Sequence, residues 1–176
     1  TLGRPNFTVA SVPGYLMAVD SDPAPKEGRC PMRVLSAVLA ADDKPAPLLG
    51  RAVLPSDAYQ PGPPSGAFIT GDNGVTPPFP GQPIPGFSAV LDVGHGTFWA
   101  MPDNGYGGKA TSGDLLLRLY RIQPDFKTAD GGTGTVAVLG FVQLRDPDGK
   151  VPFALFRSDR LLTGADFDLE SVRAAK

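Results

Sequence analysis

The sequence predicts an all-β protein, and three observations carry that prediction. Sixteen of its 20 prolines lie within residues 1–86, and a proline inside a helix removes a backbone donor and clashes with the preceding turn. The apolar runs that follow are short and rich in valine, leucine and aromatic residues. Between them stand Gly, Asp and Asn groups of the kind that reverse a chain.

In the first half, the expected strands are YLMAVD (15–20), MRVLSAVLA (32–40), LLGRAVL (48–54) and AFIT (67–70), each bounded by Pro, Gly or Asp. YQPGPPSG and GVTPPFPGQPIPG are too proline-dense to donate to a ladder and read as ordered surface loops. From Gly86 the texture changes. GFSAVLDVGHGTFWAMPD reads as a hairpin whose DVGHG turn supplies positive-φ positions. LLLRLYRIQ (115–123) and TVAVLGFVQLRD (135–146) flank the loop KTADGGTG and form a second antiparallel pair. LLLRLYRIQ has the apolar count of a short helix, yet Tyr120, Ile122 and the following Pro124 favour strand. DPDGK (146–150) is a further turn. RSDRLLTGADFDLESVRAAK is the one helix-like stretch, although Gly164 interrupts it and its apolar spacing also suits β-structure.

Length and charge exclude several function classes. The chain has 176 residues and 41% hydrophobic content, suited to one domain or part of one. Its 16 basic and 18 acidic residues give a formal charge of −2, without the basic face of a nucleic-acid binder. Every apolar run falls short of the roughly 18 residues of a membrane helix. Cys30 is the sole cysteine, so no internal disulfide and no Cys-rich zinc site forms. The chain begins at Thr1 without methionine, as it would if a leader had been removed.

Successive two-strand units suggest propeller blades, with a β-sandwich as the competing all-β arrangement. GFSAVLDVGHGTFWAMPDNGYGGKATSGDLLLRLYRIQPDF, followed by LTGADFDLESV, resembles the phytase-like β-propeller family described as having esterase-like activity, found mostly in exported bacterial proteins. The shared features are the Gly-Phe-Ser-Ala opening, an aromatic strand ending in Asp-Asn-Gly, a Leu-Arg-x-Tyr strand and an Asp-x-Glu element, and the likeness runs from about Leu49 to the end. It implies a partial propeller of about two blades preceded by a proline-rich segment, with residues 1–176 as the amino-terminal part of one propeller domain. The rest of the ring would come from a missing carboxyl part or another chain. It also implies a secreted or extracytoplasmic hydrolase of small phosphate esters, with a non-catalytic envelope binding or scaffold module as the alternative.

Carboxylates at strand ends suit a hard cation such as Ca²⁺, which takes oxygen ligands in flexible geometry. Asp103, Asp168 and Glu170 are the candidate ligands. Asp168 and Glu170 point to one face if their segment is extended, and Asp103 is expected at the same end of the sheet. Lys109 and Arg118 are the candidate anion-binding residues, with Arg160 a further cation. Each has a plainer reading: Asp-Asn-Gly as a turn, Asp168 and Glu170 as a solvated acidic face, and the arginines as partners of nearby carboxylates. His95 reads as an exposed turn residue and Ser88 as a strand residue, because no triad spacing and no G-x-S-x-G elbow occurs.

Overall fold

A computed structural model describes residues 6–12, 15–20, 48–55, 57–71 and 76–174, the first two segments by their backbone alone. Their regular structure is entirely β. The strands are β1 (Asn6–Val12), β2 (Tyr15–Asp20), β3 (Gly50–Pro55), β4 (Phe87–Asp92), β5 (Phe98–Pro102), β6 (Arg118–Asp125) and β7 (Thr135–Gln143). They join one sheet in the order β2-β1-β3-β7-β6-β5-β4. All pairings are antiparallel except β3 with β7, which meet in parallel at Val53 and Thr135.

Strands β4 to β7 form an antiparallel meander in chain order, and short turns explain it. After β4, Asp92 Oδ1 accepts from Gly94 N at 2.7 Å, and Thr97 N donates to Gly94 O at 3.0 Å. Gly94, His95 and Gly96 all take positive φ (84°, 55° and 68°), which brings the chain back within five residues. His95 is exposed in that turn and Ser88 is exposed on β4, as the sequence indicates. The segment 115–123 contributes a strand rather than a helix. Its Leu119 and Tyr120 pair with Val142 and Phe141.

The core lies on one face of the sheet, where Ala52, Leu54, Ala100, Tyr120, Ile122 and Val136 meet Ile84 from the proline-rich segment. Period-two alternation puts Leu91, Trp99, Leu119 and Val142 on the other face, with Leu91 opposite Trp99 and Leu119 opposite Val142. That second face is mixed: exposed Arg121 stands on it opposite Trp99, and Val142 is 49% exposed.

Three expectations need correction. Residues 67–70 form a turn, not a strand: Gly66 at φ 89° redirects the chain, and Asp114 Oδ2 accepts from Ala67 N at 2.7 Å. The segment 76–86 is not a surface loop throughout. Phe79, Gln82 and Ile84 are buried, and Gln82 satisfies the surrounding backbone in place of a ladder. Its Nε2 donates to Pro63 O (2.9 Å) and Asp114 O (3.1 Å), and its Oε1 accepts from Leu116 N (2.7 Å). Finally, 157–174 contains no helix. Beyond Leu117 and Leu144, still joined by Leu144 N to Leu117 O (3.0 Å), the β6 and β7 chains part, and the segment 161–164 wedges between them. There Leu117 N donates to Leu162 O (2.9 Å) and Leu162 N to Leu144 O (3.1 Å), so tertiary hydrogen bonds outcompete local helical ones. The expected strand at 32–40, and Cys30, lie outside the described residues.

Candidate functional site

Asp103 directly follows β5 and opens a loop built on its own side chains. Asp103 Oδ1 accepts from Gly105 N (2.7 Å), and Asn104 Oδ1 accepts from Gly107 N (3.1 Å). Gly105 and Gly107 have φ of 87° and 80°. A Cβ on Gly105 would fall 2.0 Å from Leu115 Cδ2, so this turn requires glycine for both φ and space. Ser112 Oγ accepts from Tyr106 N (3.2 Å), and Thr111 Oγ1 donates to Tyr106 O (2.7 Å). The turn reading of Asp-Asn-Gly is therefore correct.

The carboxyl-terminal wedge delivers Asp168 to the same end of the sheet. Its turn is organised by buried Asp166, whose Oδ2 accepts from Thr163 N (2.8 Å) and Thr163 Oγ1 (2.9 Å) while Oδ1 accepts from Phe156 N (2.7 Å). Gly164 lies against the Asp103 loop: a Cβ there would stand 2.2 Å from Asn104 O and 2.6 Å from Ser112 Cβ. Burial pushes the Asp103 carboxyl above the ordinary aspartate range, and the nearby Asp168 charge pushes it further, against the lowering effect of the Gly105 N–H.

Asp103 and Asp168 thus share an electrostatic neighbourhood. Glu170 follows two residues later and is exposed, as is Asp168. Among the described residues, no three His, Cys, Asp or Glu side chains gather closely enough to hold a metal ion. The donor set fits a hard cation in part. Asp103 and Asp168 would supply two carboxylates, and a third carboxylate or further oxygens would have to close the shell.

Lys109 is exposed on the same loop. Arg118 is not at this surface, contrary to its expected anion-binding role. It is 3% exposed, with Nε donating to Gln143 Oε1 (3.0 Å), one Nη to Pro61 O (2.7 Å), and its guanidinium 4.0 Å above the Phe141 ring. It fastens the proline-rich segment to β6 and β7, and burial lowers its pKa from the ordinary value. Arg160 pairs with Asp146, the carboxylate pairing already considered for it.

Sequence reasoning missed the residues that support the loop. Tyr106 Oη and Ser65 Oγ hydrogen-bond at 2.8 Å, and Ser65 Oγ donates to Asp114 Oδ1 at 3.4 Å. Burial raises the Tyr106 pKa, so the phenol stays neutral in this contact. The sequence signal was the glycine-dense run Asn104-Gly105-Tyr106-Gly107-Gly108, in which one aromatic residue must turn inward.

Comparison of the chain with family models, curated proteins and solved structures finds no significant match.

Proposed function

We propose that the protein is a phosphoester hydrolase of the exported, phytase-like β-propeller type, with its cation site at the β5 end of the sheet. The observation that carries this reading is the packing of Gly164 against Asn104 and Ser112 of the Asp103 loop, which brings the segment leading to Asp168 to the β5 end of the sheet. Two carboxylates held together are costly unless a cation offsets them. Ca²⁺ would be held by Asp103 and Asp168, with Glu170 as a further ligand. When bound it would neutralise phosphate charge, while Lys109 would attract the anion. The β4 to β7 meander has the strand order of one blade, and apolar residues on both sheet faces suit a layer packed between neighbours. Those neighbours would come from further parts of the same propeller or from another chain, in a secreted or extracytoplasmic setting.

The direct test is hydrolysis of a small phosphomonoester with added Ca²⁺ and with chelator, in the protein and in Asp103→Asn. Calcium-dependent turnover that the substitution abolishes supports the proposal. Absence of turnover in both leaves the non-catalytic reading, which has its own support: Phe68, Phe153 and Phe156 are about half exposed, and Phe68 and Phe156 meet edge to face at 5.8 Å. Exposed aromatic groups of this kind suit a binding module of the cell envelope.

A further inference from the structure

The opposite end of the sheet carries a different chemistry. Asp103 and Arg118 mark one end of the β5 and β6 pair, whereas β6 finishes at Asp125, roughly 23 Å away at about 3.3 Å per residue, and Lys127 follows. There Arg51 and Lys127 face each other across an antiparallel bridge: Arg51 N donates to Lys127 O (3.2 Å) and Lys127 N to Arg51 O (2.9 Å). Residues directly opposite in such a bridge project to the same side, and two cations there repel. Both are exposed, and among the described residues the ion pairs are Arg157 with Asp159 and Arg160 with Asp146, so no carboxylate of the described residues forms an ion pair with either.

These two cations line a depression of about 290 Å³ together with Leu48, Leu49, Gly50, Thr128 and Ala129. Gly50 permits it. A Cβ there would fall 2.9 Å from Thr128 Cγ2, so glycine lets the two segments approach. Leu48 and Leu49 are 64% and 49% exposed beside the charges. Positive charge with no ion pair among the described residues, next to exposed aliphatic surface, matches a ligand with an anionic head and an apolar tail.

We propose that this depression binds a phosphate-bearing amphiphile, its phosphate between Arg51 and Lys127 and its chain against Leu48 and Leu49. Arginine offers a planar donor fork and lysine a mobile point charge, a combination suited to phosphate oxygens. The site is separate from the Asp103 end and stands whether or not the protein hydrolyses phosphate esters.

The test is an amide NMR titration with decyl phosphate, inorganic phosphate, and vesicles of phosphatidylglycerol or phosphatidylcholine. The expected result is saturable shifts at residues 48–51 and 127–129 with decyl phosphate, weakened at least tenfold in the double variant Arg51→Gln, Lys127→Gln. Binding to phosphatidylglycerol but not phosphatidylcholine vesicles identifies a lipid headgroup as the source. A response to inorganic phosphate equal to that of decyl phosphate would overturn the amphiphile and leave a simple anion site. Should the double variant fold poorly, the wild type decides alone, because raising salt to about 0.5 M must weaken a contact between exposed charges. No shift with any probe, or a decyl phosphate response indifferent to both the substitutions and salt, refutes the proposal.

Discussion

Replacing Gly164 by alanine tests the join between the two halves of the candidate site. The added Cβ would meet Asn104 O at 2.2 Å, Ser112 Cβ at 2.6 Å and Asn104 C at 3.0 Å. Two of these three atoms are backbone, so no side-chain rotation relieves the contact. Overpacking of a filled site costs about 1–3 kcal/mol, and rigid backbone neighbours place Gly164→Ala near ~2 kcal/mol. At roughly 2–4 °C per kcal/mol for a chain of this length, the melting temperature should fall by about 4–8 °C. Gly108→Ala is the matched control, since its Cβ would find only Thr111 Oγ1 at 3.9 Å; it should stay within about 0.5 kcal/mol of wild type. Thermal unfolding followed by circular dichroism compares the three proteins. If Gly164→Ala melts with Gly108→Ala, the segment 163–168 does not press on the Asp103 loop and the carboxylate pair loses its structural basis.

Gln82→Leu keeps volume but strands the Leu116 N–H and two carbonyls in the interior; at about 1–3 kcal/mol for each buried group left unpaired, urea unfolding should show a loss of at least ~3 kcal/mol, and a loss under 1 kcal/mol would mean that Gln82 is not the hub described. The Asp146 carboxyl is held down to about 2, first by the Val151 N–H and also by Arg160 and the Lys150 N–H. Its contribution is therefore complete above the ordinary aspartate value and disappears as pH falls through about 2. The stability gap between wild type and Asp146→Asn should be constant from pH 7 to 5 and shrink below pH 4, and a gap unchanged at pH 2.5 contradicts the assignment. Asp103 has the opposite sign: its raised pKa disfavours the charged form in the folded state, so in chelator Asp103→Asn should be the more stable protein at pH 7, with the gap narrowing as pH falls toward the ordinary aspartate value. Asp168→Asn should lower the Asp103 pKa in a carboxyl NMR titration without restoring the ordinary value, because burial is the larger cause; an Asp103 pKa unmoved by Asp168→Asn would separate the two groups.

The elements legible in the sequence are those fixed by local chemistry. The β4–β5 hairpin follows from Asp92, Gly94 and Gly96 alone, and β6 and β7 follow from β-branched and aromatic alternation around a glycine-rich loop. What stayed hidden depends on distant partners. Residues 67–70 have strand composition, but Gly66 and the Asp114 carboxylate turn them. The proline-rich segment 76–86 reads as surface, yet Gln82 supplies the hydrogen bonds that prolines cannot, and its neighbours go inside. For the site, the turn chemistry of Asp103 was legible in Asp-Asn-Gly, whereas Asp168, expected at a strand end, lies in an irregular segment. Arg118 misled because charge suggests exposure, whereas Pro61 O, Gln143 and the Phe141 ring accommodate its guanidinium inside. Gly164, which presses one half of the site on the other, looked only like a helix interruption.

The central claim is that Asp103 and Asp168 together hold a cation. Isothermal titration of chelator-treated protein with Ca²⁺ addresses it directly, using Asp103→Asn and Asp168→Asn as comparisons. The account predicts one saturable site in the wild type, weakened at least tenfold by either substitution, and a rise in melting temperature with Ca²⁺ that follows occupancy. No Ca²⁺ binding at millimolar concentration, or binding that both substitutions leave unchanged, would contradict it and reduce Asp103 to a residue that caps its own turn.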